Sequence, residues 1–340
     1  MAKIKNNTVI EGINPNNIET PKTKSILVPK DFQIDLSKNV PDPHPLISID
    51  GKTVFSPQNI GIIKAKAKAG KSFLCSIIGA VWLGKKWGGI ESSPLVGKYK
   101  VKIIDSEQAE AHVHKLARRV LRLCGFNPNK NYPSLDVYLT KDLTNDERFE
   151  LLEAIASEPE TGLIIFDGVV DLVNDFNSLE ECTAKKDRLL KLVKLHNIFL
   201  LGVIHENKKD ANSRGHWGAF LEQKSETTMQ ISKDGEYFEV SPALCRNIEF
   251  EPFGFRIFEG LPEPADATDR PNPNHTKQQN VFRKILVGAS TLTYKELITQ
   301  YIDHTGLKED SAKKHIAFHY SNGFLDKNNG TYWIKNNTEV

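Results

Sequence analysis

Eight residues, Ala65-Lys66-Ala67-Lys68-Ala69-Gly70-Lys71-Ser72, stand between an apolar strand-like run and an apolar helix-like run. That junction can bind a phosphate, because consecutive backbone N–H groups and a helix N-terminus can surround an anion. Lys71 would reach the β- and γ-phosphates of a nucleotide, and Ser72 would ligate Mg²⁺. Residues Ala65 through Phe73 are the expected nucleotide-contacting stretch. Ala65 occupies the place usually held by a first glycine, which suits alanine only if its φ is negative. Lys64, Lys66 and Lys68 would raise the local positive potential. The ordinary alternative is a chance Gly-Lys-Ser before a helix, and the downstream motifs weigh against it.

Two acidic segments fit around such a phosphate. Leu163-Ile164-Ile165-Phe166-Asp167 closes a buried apolar strand with a carboxylate. Asp167 would hold the same Mg²⁺ as Ser72, directly or through water. Ile103-Ile104-Asp105-Ser106-Glu107-Gln108 closes another. That segment closely resembles the acidic turn of RecA-type ATPases, and the resemblance implies Glu107 as general base or water positioner, with Asp105 as the fallback. A turn aspartate before Gly168, and a carboxylate favoured by a helix dipole, are the structural alternatives.

A third apolar strand, Ile198 to Ile204, runs into His205-Glu206-Asn207. Polar residues there sit on the carboxyl edge of a sheet, where α/β ligand sites occur. His205 can hydrogen-bond a γ-phosphate, or simply be a satisfied structural histidine. The stretch 208–218 is polar, basic and contains glycine. Lys208 and Lys209 would touch a nucleic-acid backbone, and Arg214 would neutralise phosphoryl charge at a neighbour's site. An exposed charged loop is the plain alternative.

The elements that must position these residues follow from pattern. Strands are expected at 60–63, 99–104, 135–139, 163–166 and 198–204, with helices at 71–83, 109–124, after Thr144, and from Ser178 to His196. Thr144 and Ser178 each precede a glutamate by three residues, the capping-box spacing. Strands apolar on both faces and separated by helices predict an α/β fold with a mainly parallel sheet covered on both sides. Asp50-Gly51 and Asp234-Gly235 mark hairpin turns.

Four segments follow: an arm at 1–44, an ATPase-type core at 45–258, a Pro- and Asp-rich linker at 259–276, and a C-terminal module at 277–340. The module reads as helices at 277–286, 293–301 and 307–320, then a hairpin with its turn at Asn328-Asn329-Gly330. That order resembles a winged helix. Its third helix, carrying Lys308, Lys313 and Lys314, would enter a major groove, unless the module docks on protein. Trp333 reads as a core residue.

Composition bounds the class. The 340 residues carry a net charge of only +2, so any nucleic-acid contact must be a local basic patch. The four cysteines are scattered and form no Cys-x-x-Cys pair, which disfavours a disulfide scaffold or zinc site. No apolar run approaches the roughly 18 residues of a membrane span. The N-terminus lacks a signal-peptide core, so a cytoplasmic protein without membrane partners is expected.

Residues 58–232 resemble RecA-fold hexameric helicases of the RepA and DnaB kind, and most closely the RepA-like AAA-family ATPases of plasmids and mobilizable elements. The resemblance rests on Ala65 to Ser72, Asp105 to Gln108, Phe166-Asp167-Gly168, His205-Glu206-Asn207 and Ser213-Arg214-Gly215. It implies a RecA-like core using ATP and Mg²⁺, and a homo-oligomeric ring, often a hexamer, with sites between subunits. Arg214 would act in trans, and single-stranded DNA would pass through a central channel. Two other functions fit the residues: an ATP-gated DNA-binding initiator clamp, and a nucleotide-gated assembly factor.

Overall fold

The computed structural model describes residues 29–206, 215–266, 273–286 and 291–335. The chain divides into two compact units, Met1–Asp42 and Pro43–Val340. In the first, the described residues make one 3-10 turn, Pro29–Phe32, followed by irregular chain with a turn at Leu36-Ser37. There Phe32, Ile34 and Leu36 are exposed.

The second unit opens with a hairpin, β1 (Ile47–Ile49) and β2 (Lys52–Phe55), whose turn is Asp50-Gly51 as the sequence predicts. Then come β3 (Ile60–Ala65), α1 (Lys71–Trp82), β4 (Ile90–Ser92), β5 (Lys100–Asp105), α2 (Glu110–Leu123), β6 (Leu135–Leu139), α3 (Asn145–Ser157) and β7 (Thr161–Asp167). They are followed by α4 (Leu179–His196), β8 (Phe199–His205), α5 (Gly215–Lys224), β9 (Thr227–Asp234), β10 (Tyr237–Cys245), β11 (Phe253–Phe258) and β12 (Leu261–Ala265). The sequence gives no sign of β4, which is three residues long and completes a small sheet beside β1.

Nine strands form the main sheet in the order β12-β11-β10-β9-β3-β8-β7-β5-β6. The strands from β9 to β6 pair in parallel, and β10 to β12 add antiparallel hairpins. The buried parallel strands are apolar on both faces because both faces are covered. Leu163 and Ile165 point into the core shared with α1 and α2. Ile164 and Phe166 point into the core shared with α3, α4 and α5. This is the expected α/β architecture.

Two local readings are corrected. Residues 259–276 are not wholly linker, since β12 forms one edge of the sheet. Pro262 and Pro264 are tolerated there because an edge strand can spare N–H groups. Ser178 caps α4, but its box is half made: Glu181 turns away to accept from the Asn174 and Asp175 amides at 2.7 and 3.0 Å. Thr144 makes the full box on α3.

The C-terminal segment consists of α6 (Pro273–Leu286), β13 (Leu292–Thr293), α7 (Tyr294–Thr305), α8 (Glu309–Ser321), β14 (Leu325–Asn328) and β15 (Thr331–Ile334). The strands pair antiparallel in the order β13-β15-β14. Phe282, Leu297, Tyr301, Ile316 and Tyr332 fill its own core. Alternation along β15 puts Tyr332 inside, so Trp333 is only half-buried and is not the core residue expected. α6 begins four residues ahead of the predicted start, with Pro273 at a first-turn position that proline favours. No helix among the described residues is long and apolar enough to cross a membrane.

Candidate functional site

The parallel strands deliver their carboxyl ends to one edge. Ala65 ends β3 opposite His205 on β8, and Asp105 ends β5 opposite Asp167 on β7. Because β8 lies between β3 and β7, His205 stands between the lysine-bearing loop and Asp167. An open cleft of about 220 Å³ forms there, walled by Lys68 to Ser72, Glu107, Gln108, Asp167 and His205. Larger grooves of about 650 and 620 Å³ lie beside α5 and between α2 and β6, away from this cluster.

Local backbone geometry makes the loop possible. Ala65 is buried and is not among the positive-φ residues, so alanine meets the stated condition. Left-handed φ falls instead at Lys68 (62°) and Gly70 (95°). A Cβ on Gly70 would come 2.6 Å from the Phe238 ring, so glycine is required by both conformation and space. Gly70 gives α1 no side-chain cap, and Lys71 and Ser72 of its first turn line the cleft.

Lys71 is buried and donates from Nζ to His205 Nδ1 at 2.9 Å. Burial lowers its pKa, while Asp167 and Glu107 pull the other way. His205 Nε2 lies 3.0 Å from Glu107 Oε2. Asp167 is buried too, and burial first, then Asp105 and Glu107, push its carboxyl up to about 7. Its Oδ2 accepts from Gln108 Nε2 at 3.0 Å, while Oδ1 is buried with no hydrogen-bond partner.

That orphaned oxygen belongs to a cleft that Ser72 also lines, and it fits a hard cation. Among the described residues no group of three His, Cys, Asp or Glu could hold a metal alone. A cation here would complete its shell with water and phosphate, which is how Mg²⁺ usually binds.

The sequence reading places Glu107 and Asp105 as first choice and fallback, and the geometry separates them. Asp105 Oδ1 accepts from the Glu107 and Gln108 amides at 3.0 and 2.8 Å, and Oδ2 from the Gln108 side chain at 2.7 Å. Asp105 is fully buried in its own turn. Glu107 alone of the two lines the cleft.

Other expectations change. Lys64 adds nothing to the surface potential: it is buried and paired with Glu222 at 2.9 Å. Lys66 and Lys68 are exposed. Ala65, Lys66, Ala67 and Phe73 do not line the cleft. Phe73 lies under Arg119 of α2, whose guanidinium is 3.8 Å from the ring centroid. Arg119 Nη1 also donates to the Ser72 carbonyl and Ser76 Oγ, both at 3.1 Å. Burial lowers its pKa to about 10. Sequence reasoning missed this brace, and α2's basic face gave no cue as to which arginine turns inward.

Lys208, Lys209 and Arg214 lie outside the described residues. On the C-terminal segment Lys308 precedes α8, Lys314 is exposed, and Lys313 pairs with Glu309 at 2.7 Å.

No curated protein matches this chain. Among solved structures it is similar to a RadB recombinase at 16% identity, covering 62% of this chain and 93% of that one, with a TM-score of 0.46. A model of the AAA domain matches residues 23–211, more than half the chain, and its span takes in Lys71, Ser72, Glu107, Asp167 and His205. By that match, the chain belongs to the AAA domain family.

Proposed function

We propose that this chain is a RecA-like ATPase that uses Mg²⁺ and ATP to act on DNA as a subunit of a ring, a helicase-type motor serving replication or mobilization of a mobile element. One observation carries the reading: Lys71, Ser72, Glu107, Asp167 and His205, from four separate segments, meet on one small cleft. Lys71 and the α1 amides would hold phosphate oxygens. Ser72 and Asp167 would hold Mg²⁺, which when bound supplies charge neutralisation for phosphoryl transfer. Glu107 would orient the attacking water, and His205 would face the γ-phosphate. Arg214 would reach a neighbour's site, and Lys208 with Lys209 would contact the DNA backbone in a central channel.

The order α6, β13, α7, α8 and a terminal hairpin supports a winged helix, with Lys308, Lys313 and Lys314 toward duplex DNA. A specific observation favours a protein-docking role for that module instead. Glu309 and Asp310 sit in the first turn of α8, and Glu309 occupies Lys313, so the expected groove-reading end is acidic. The motor then depends on the core loops alone.

Native mass spectrometry with and without a non-hydrolysable ATP analogue and single-stranded DNA, alongside ATPase and strand-displacement assays, tests the reading. A motor forms ATP-dependent rings, hydrolyses faster with DNA and separates strands. ATP-dependent DNA binding without unwinding would support the initiator clamp, and oligomers indifferent to DNA an assembly factor. Absence of nucleotide binding would sink all three.

A further inference from the structure

We infer that His205 is a positioning residue that ties Lys71 to Glu107 through one fixed imidazole tautomer. The inference rests on the ATPase reading of the same cleft. Lys71 Nζ lies 2.9 Å from Nδ1, and Glu107 Oε2 lies 3.0 Å from Nε2. An ammonium has donors and no acceptor, so Nδ1 must present its lone pair. The neutral ring then carries its proton on Nε2, which donates to the Glu107 carboxylate. The other tautomer would set donor against donor at Lys71 and acceptor against acceptor at Glu107.

The consequence lies in the geometry of the three carriers. Lys71 opens α1, His205 ends β8, and Glu107 stands in the turn after β5. Backbone register puts Ala65, just before the loop, directly opposite His205. The imidazole therefore joins the phosphate-holding side chain to the water-orienting one, across strands that are not neighbours. Lys71 and Glu107 thus meet the same ring at its two nitrogens.

The chemistry names its own conservative replacement. A glutamine amide presents an acceptor and a donor at about the same separation as the two ring nitrogens, whereas asparagine is one methylene short. His205→Ala should lower kcat on the order of 10- to 100-fold, and His205→Gln should turn over at least about fivefold faster than His205→Ala. The affinity of His205→Ala for a fluorescent ADP should stay within about threefold of wild type, a split that general unfolding would not give.

A readout independent of turnover is ¹⁵N NMR of the histidine-labelled full chain. The His205 resonances, identified among ten histidines by their loss in His205→Gln, should report a neutral ring protonated on Nε2. A ring protonated on Nδ1 would overturn the inference, as would a His205→Gln variant as slow as His205→Ala. Equal losses of affinity and turnover in His205→Ala would also overturn it. Failure of the wild-type chain to bind the fluorescent ADP would instead remove the ATPase reading, while the tautomer measurement still decides the hydrogen-bonded chain.

Discussion

The Gln108 side-chain amide bridges Asp105 and Asp167, donating to their Oδ2 atoms at 2.7 and 3.0 Å. It lies between two buried carboxyls at the ends of adjacent strands, and it leaves Asp167 Oδ1 unengaged. Asp167 is raised from 3.8 to about 7, chiefly by burial. A carboxyl raised on folding loses stabilising effect as pH climbs through that window, because the folded state binds the extra proton. Asp167→Asn should therefore stabilise the fold at pH 8 by on the order of 2–4 kcal/mol, an advantage that shrinks toward pH 4. Denaturant melts at the two pH values check it. An unchanged midpoint at pH 8 would mean that Asp167 is already solvated.

Lys71→Ala should abolish detectable nucleotide binding, since the lysine is the buried cation of the cleft. Glu107→Gln should bind normally and hydrolyse on the order of 10²- to 10³-fold slower, as loss of a water-activating group predicts. Equilibrium titration and phosphate release separate the two effects. Weak binding by Glu107→Gln would show that the glutamate holds the site together and does not act on water.

The loop makes opposite predictions for two neighbours. Gly70→Ala meets both a left-handed φ and the Phe238 ring, and should cost several kcal/mol in stability or nucleotide affinity (about 2 or more). Lys68→Gly relieves a left-handed lysine and should be neutral or stabilising by about 0.5–1 kcal/mol. Thermal melts of both variants would contradict the loop geometry if their order were reversed.

Lys64, buried on β3, and Glu222, half-buried on α5, form a pair with little exposed side chain. Breaking it from one side, as Lys64→Met, leaves a carboxylate without its partner and should cost about 3–5 kcal/mol. Replacing both, as Lys64→Met with Glu222→Leu, should recover most of that loss. A double-mutant cycle measures the coupling, and additive losses would show that the two act separately.

His319 of α8 is fully buried, with Nε2 2.9 Å from Gln278 Oε1. Burial, then His275 and His315, depress its pKa from 6.5 to about 4. A depressed histidine favours the fold above pH 6.5, and that support is lost as pH falls toward 4. The C-terminal segment should thus lose on the order of 3 kcal/mol across the window, and His319→Gln should flatten the loss. Acid titration followed by tyrosine fluorescence of wild type and variant is the check.

Much of the core was legible because its strands are buried on both faces and its motifs end them. Leu163 to Asp167 and Phe199 to His205 announce both a strand and the side chain presented at its end. Side-chain partnerships were not legible. Nothing in the one-dimensional pattern distinguishes Lys64, pointing to α5, from Lys66, pointing to water. Arg119 and Gln108 act through distances between segments far apart in sequence. β4 and β12 were hidden for local reasons, the first by its brevity and the second by its prolines.

The insertion of β8 between β3 and β7 sets how the molecule can vary. A slip or bulge in that one strand would disturb the lysine's side and the aspartate's side together, whereas β6 and β12, at the rims, are each pinned by a single neighbour. Sequence drift should therefore be tightest along Phe199–His205 and loosest at the rims, where length and composition can change without moving the cleft.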